Sequence, residues 1–136
     1  MQSNEIYSEL ILDLYRNPVN HGELKDYDIK AGGGNPSCGD RVQITLKIED
    51  GKISDIKFSG KGCAISMAAA SLLTEHVKGK SLAQAKKISD NDVFEMLGGI
   101  IQTRIKCATL AKTVLQKSIE EWEKNNGRKT ETEITI

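Results

Sequence analysis

Apolar residues along this chain follow first one spacing, then another, then return to the first. Ile6, Leu10, Ile11, Leu14 and Tyr15 fall three to four positions apart, on one face of a helix whose first turn Ser3 or Asn4 can cap. The stretch NPVNHG ends it, because Pro18 drives Asn17 out of helical geometry and Gly22 loosens the residues after it. The period then becomes two. Tyr27, Ile29 and Ala31 alternate with polar residues, and beyond the loop GGGNPSCG so do Val42, Ile44, Leu46 and Ile48. Asp50-Gly51 is a two-residue hairpin signal leading into a third strand with Ile53, Ile56 and Phe58, whose phase slips near Ser54-Asp55 as a bulge would make it.

After Gly60 and Gly62 the helical period returns. CAISMAAASLLTEHV is rich in helix formers and stops at Gly79, so a helix begins at or beside Cys63. Ser81 can cap a short helix through Ile88, and Asp90 or Asn91 another through Leu97, where Gly98-Gly99 breaks it. From about Thr103 a long helix places Ala111, Val114, Leu115, Ile119 and Trp122 on one stripe, with lysines and glutamates opposite as its solvated face. The expected fold class is α+β, a small three-stranded antiparallel sheet with one wet face, packed with four to five helices. Residues 1–125 read as a single domain, and RKTETEITI, within 126–136, as a mobile or loosely attached tail.

Composition narrows the function. A chain of 136 residues buries roughly two thirds of its unfolded surface and needs no covalent staples to fold. Nineteen basic and nineteen acidic residues cancel, so no global field draws the chain to nucleic acid or anionic lipid. No apolar run approaches the roughly 18 residues of a membrane span, and MQSNEIYSEL has neither a cationic nor an apolar leader region; the expected location is the cytoplasm. The expected state is a monomer or weak homo-oligomer. Three cysteines cannot all pair with one another, which leaves free thiols or metal ligands.

All three cysteines fall at element boundaries: Cys38 in the Gly-Pro loop, Cys63 at a helix entry, Cys107 near the start of the long helix. A single free cysteine is usually a small buried hydrophobe. Three at glycine loops and helix starts, where backbone N–H groups point outward, are poor choices for inert packing. Lys61 precedes Cys63, and Arg104 and Lys106 precede Cys107, so positive charge accompanies two thiols. Clustered thiolates serve either a soft metal or sulfur handling. Asp40 adds a carboxylate two residues from Cys38, with Gly39 letting the loop bend between them; three sulfurs and one oxygen form a complete tetrahedral set. The steps of 25 and 44 residues between cysteines match no short zinc module. Convergence therefore has to come from the tertiary fold, with the sheet's loop edge packed near two helix N-termini.

RNPVNHG, GNPSCGD, GKGCAISMAAASLLTE and RIKCATLA, in that order and over Tyr7 to Trp122, resemble the U-type scaffold proteins of iron–sulfur cluster assembly (IscU and SufU, like the N-terminal part of NifU). The resemblance implies a small antiparallel sheet covered by helices, with Cys38, Asp40, Cys63 and Cys107 as ligands. It implies that a cysteine desulfurase delivers sulfur as a persulfide, that iron is added, and that a transient 2Fe–2S cluster passes to apo acceptor proteins. Some members hold Zn2+ at the same place. The chain departs from both branches of the family. Lys106 stands where the Isc branch has a histidine, and an ammonium with an intrinsic pKa of about 10.4 is no ready ligand. GGIIQTR replaces the Leu-Pro-Pro-Val-Lys motif that the Isc branch offers its chaperone, and the insertion usual in the Suf branch between the second and third cysteine regions is missing.

The implied mechanism gives each residue a role. Cys38, on its glycine-flanked loop, accepts the persulfide, and Asp40 is the labile ligand that lets the cluster leave. Arg104, Lys106 and Lys61 offset the charge of the thiolates and help dock the desulfurase. The alternative is a zinc-dependent sulfurtransferase using the same four ligands. A closed structural zinc site would more usually take a fourth Cys or His than an Asp. GKS at Gly79 to Ser81 follows a helix and lacks the upstream glycine of a phosphate loop, so nucleotide binding is rejected. His21 and His76 have no second ligand at metal spacing and read as surface or partly packed residues.

Overall fold

The computed structural model describes residues 9–36, 39–99 and 105–136. Helix α1, Glu9–Arg16, precedes strands β1 (Ile29–Gly34), β2 (Arg41–Glu49) and β3 (Lys52–Lys61). Helices α2 (Ala64–Val77), α3 (Leu82–Lys86), α4 (Asp90–Met96) and α5 (Ile105–Lys124) come next, and β4 (Thr130–Ile134) closes the order. The sheet runs β3-β2-β1-β4, antiparallel except for the parallel pair β1 and β4. Among the described residues no helix is long and apolar enough to cross a membrane.

The period-two pattern decides which face of the sheet meets the helices. Ala31, Ile44 and Phe58 stand abreast across three strands, as do Ile29, Leu46 and Ile56, and all six are buried. The opposite face carries ion pairs of Lys30 with Glu23, Lys47 with Asp26 and Arg41 with Glu133. The hairpin turn has Asp50 at φ 54 and Gly51 at φ 74, the left-handed pair of a type I′ turn. The expected phase slip is a bulge: Lys47 pairs with Asp55 and Ile48 with Ile53, leaving Ser54 unpaired. That extra residue is what lets Ile53 and Ile56, three positions apart, both reach the core.

Helix α2 is enclosed by α1, α5 and β3 along its middle turns, which is why small residues fill them: Ala68, Ala69, Ala70 and Ser71 are all within 1 % of full burial. Cys63 is its N-cap residue. The short helix after Ser81 forms with a Ser81–Gln84 capping box, but α4 is capped by Ser89 through a box with Asp92, rather than by Asp90 or Asn91. On α1 only Ile11 and Leu14 are buried; Leu10 and Tyr15 are about half exposed, because α1 meets α2 along a narrow seam. Its proposed caps and Ile6, and the start of the long helix at Thr103, lie outside the described residues.

The sheet gains a strand where a loose tail was expected. Apolar residues are scarce in the tail, yet Thr130, Thr132 and Ile134 alternate with Glu131 and Glu133, and β-branched threonines suit a pleated, half-buried surface. Thr130 and Ile134 are buried against the helices. Glu131 accepts a hydrogen bond from the Tyr27 hydroxyl at 2.7 Å, and Glu133 takes both arms of the Arg41 guanidinium. The sheet is thus four-stranded and mixed, not three-stranded and antiparallel.

Glycines in β1 let other groups come close. A Cβ on Gly33 would lie 2.8 Å from Val114 Cγ2 of α5, and one on Gly32 would lie 2.5 Å from Arg41 Nη2. Gly33→Ala is therefore expected to cost about 1–3 kcal/mol in urea unfolding, with part of the loss regained in the Gly33→Ala/Val114→Ala double variant. The hydrogen bonds from Arg41 hold the Glu133 carboxyl below its ordinary pKa. A depressed carboxyl stabilises the fold above its unfolded-state pKa and loses that contribution as pH falls through the folded value. Amide protection factors in Thr130–Ile134, referred to intrinsic exchange at each pH, should accordingly fall below the ordinary carboxylate range, and Glu133→Gln should remove this part of the acid dependence.

Candidate metal centre

Asp40 is set by the loop joining β1 to β2. The Asn35 N–H donates to the Asp40 carbonyl and the Gly39 N–H to the Asn35 carbonyl, both at 2.8 Å, and Gly39 sits at φ +77. This turn ends the glycine run of β1 and delivers the Asp40 side chain inward, 7 % exposed. Cys63 comes from the step between β3 and α2, and Cys107 from the first turn of α5, where it is 4 % exposed. One ligand atom of each of the three residues lies within 4.8 Å of the other two. The β1–β2 loop end of the sheet, the start of α2 and the first described turn of α5 therefore meet. Cys38 and Arg104 lie outside the described residues. Lys61 and Lys106 are exposed, and neither makes an ion pair among the described residues. Both histidines are exposed too; the His21 ring meets Phe58 edge-on at 5.7 Å.

Whether these residues suit a metal can be judged from Asp40 itself. Its Oδ2 is buried and has no hydrogen-bond partner among the described residues. A carboxylate oxygen withdrawn from water without a donor is costly, and a cation is the usual compensation. Two thiols within reach make that cation a soft or borderline one, such as zinc or iron. Sulfur and oxygen ligands on a tetrahedral ion of this kind stand about 3.3–3.8 Å apart, so a contraction of the order of one ångström would close the set.

Backbone proximity makes the convergence possible. A Cβ on Gly60, at φ +151, would lie 2.1 Å from the Arg41 carbonyl oxygen, and one on Gly62 would lie 3.2 Å from Asp40 Cγ. Two glycines in GKG thus bring the strand leading to Cys63 against the strand leading from Asp40. In the sequence Gly62 reads only as part of the break before a helix and Ser66 carries no role of its own; the available signal was a serine three residues after the helix-capping position.

Known proteins share this arrangement of motifs. The family model described as NifU-like N terminal domain matches residues 6–129. The chain belongs to the NifU-like N-terminal domain family. Within it, the protein is 39 % identical over 123 residues to an iron-sulfur cluster assembly scaffold protein, IscU 1, of Archaeoglobus fulgidus, covering 90 % of this chain and 80 % of the relative. It is 37 % identical over 139 residues to the zinc-dependent sulfurtransferase SufU of Bacillus subtilis, covering 89 % and 94 %. The crystal structure of a putative SUF-system scaffold protein from Fervidobacterium islandicum superposes with a TM-score of 0.71 at 28 % identity, covering 86 % of this chain and 98 % of that one. NifU-like domains of this kind thus include relatives named as scaffolds and one named as a sulfurtransferase.

Stability measurements test the metal centre. Excess Zn2+ should raise the thermal midpoint of the purified protein, and Cys107→Ser should remove most of that increase. In the metal-free chain Asp40→Ala should raise the midpoint, since it relieves about 1–3 kcal/mol of unsatisfied burial.

Proposed function

We propose that this protein is a scaffold on which an iron–sulfur cluster is built and then handed on. The observation that carries the reading is the orphaned Asp40 oxygen beside two thiols at the sheet edge. Cys38, Asp40, Cys63 and Cys107 are the ligands in this reading, and the 2Fe–2S cluster is cargo. The mixed ligand set suits that task, because a cluster that must leave needs a weaker hold than a four-thiolate cage. Asp40 provides the weaker bond.

Sulfur comes from a cysteine desulfurase. The Cys38 thiolate attacks the outer sulfur of the donor's persulfide, the donor's S–S bond breaks, its cysteine leaves as a thiolate, and Cys38 carries the new persulfide. Reduction to sulfide takes two electrons per sulfur from an external reductant. Gly39, with open space around its Cα, supports the choice of Cys38 as the acceptor that swings. Lys61, Lys106 and Arg104 balance charge and meet the desulfurase, and apo iron–sulfur proteins receive the product. One observation favours a second reading: the relative named as a zinc-dependent sulfurtransferase matches over nearly its whole length. In that case Zn2+ occupies the same four residues and Cys38 leaves the metal to take the sulfur.

Anaerobic incubation with Fe2+, cysteine and a cysteine desulfurase separates the two. Visible iron–sulfur absorption, followed by activation of an apo acceptor, is the expected result; faster desulfurase turnover with the zinc-loaded protein and no cluster would establish the second reading instead. On the scaffold, Asp40→Ala should lengthen the lifetime of the bound cluster several-fold, and a shorter lifetime would refute the role given to Asp40.

A further inference from the structure

Ser66 is buried, 1 % exposed, one turn into α2 and directly behind Cys63. Its hydroxyl donates to the Cys63 carbonyl at 3.0 Å and accepts from the Cys63 thiol at 3.8 Å. The carbonyl does not depend on Ser66, because it also accepts the Met67 N–H at 3.1 Å as the first bond of the helix. Cys63, as the helix N-cap, makes no side-chain cap bond that would hold its sulfur elsewhere. The hydroxyl has its place because residue 62 is glycine: a Cβ there would lie 2.2 Å from Ser66 Oγ.

These contacts change when the sulfur binds a metal. A sulfur that ligates a metal is a thiolate, which can accept a hydrogen bond and has none to donate. The Ser66 hydroxyl can answer by rotating about its C–O bond, from the carbonyl to the sulfur, with the carbonyl still satisfied by Met67. We propose that Ser66 is a positioning residue for the metal centre, whose hydroxyl donates to the Cys63 thiolate in the loaded protein and so orients that ligand and draws charge from its sulfur. The inference rests on the metal-ligand reading of Cys63. It assigns Gly62 a purpose as well, that of leaving room for the hydroxyl. Hydrogen bonds to ligating sulfur alter both metal affinity and the electronic character of the metal–sulfur bond.

Cobalt(II) alone, added anaerobically to the full chain, reports on the metal–sulfur bond through its sulfur-to-metal charge-transfer band. The wild-type protein should show that band; its absence would overturn the metal-centre reading itself. Ser66→Ala should move the band to longer wavelength and weaken cobalt binding roughly 10- to 100-fold, the range for lost outer-sphere partners, and Ser66→Thr should restore the band position. A serine that merely supported the helix turn would affect the melting temperature without moving the band. A wild-type band together with an unshifted band and unchanged affinity in Ser66→Ala would overturn the inference while sparing the metal centre. Should Ser66→Ala fail to fold, Gly62→Ala decides within an Asp40→Ala background, where its methyl group pushes the hydroxyl aside and has no carboxylate to press on: a shift to longer wavelength relative to Asp40→Ala alone supports the role and an unmoved band refutes it.

Discussion

The buried oxygen of Asp40 sets a condition that the surrounding chain has to meet. With no donor among the described residues, this buried oxygen calls either for an escape to solvent or for a cation. Swinging out is opposed by the turn from Asn35 to Asp40, closed by two backbone hydrogen bonds, and by β2, which begins at the next residue. The thiols of Cys63 and Cys107 close the other sides. A cation would answer all three groups at once, which is what marks Asp40, Cys63 and Cys107 as a candidate metal site.

Much of the remaining architecture serves to hold three distant pieces of chain at that shell. Gly60 and Gly62 bring the end of β3 close to the start of β2, and Gly33 lets α5, which carries Cys107, settle on β1. The β1 strand is in turn clasped by β4, whose Glu133 grips Arg41, the residue next to Asp40. This exposed ion pair contributes on the order of 0–1 kcal/mol. Its worth lies more in register than in energy, since it ties the last strand to the first residue of β2.

The sequence made visible the features that depend on local pattern. Strand alternation in Val42, Ile44 and Leu46, the bulge implied by the Ile53 to Ile56 spacing, and the glycine stops of the helices all arise from one residue's relation to its near neighbours. The cysteine positions suggested a common centre, and three of its four expected members, Asp40, Cys63 and Cys107, converge; Cys38 lies outside the described residues. The features that could not be read depend on tertiary partners. Thr130 and Thr132 look polar until β1 offers them an edge, and Leu10 and Tyr15 look like core until α1 proves to pack on α2 through Ile11 and Leu14. Ser66 is one small residue among many in α2, and its relation to Cys63 appears only when the helix turn and the gap at Gly62 are seen together.

The parallel pairing of β4 with β1 has a consequence for the order of events during synthesis. Ile29 finds its partner in Thr130, about a hundred residues further on, so one side of β1 stays open while the hairpin and all the later helices emerge. Bringing such remote segments together costs loop entropy that only prior docking of α5 can reduce. Completion of the sheet is thus a late step, and until it occurs the nascent chain presents a bare strand next to the residues of the candidate metal site.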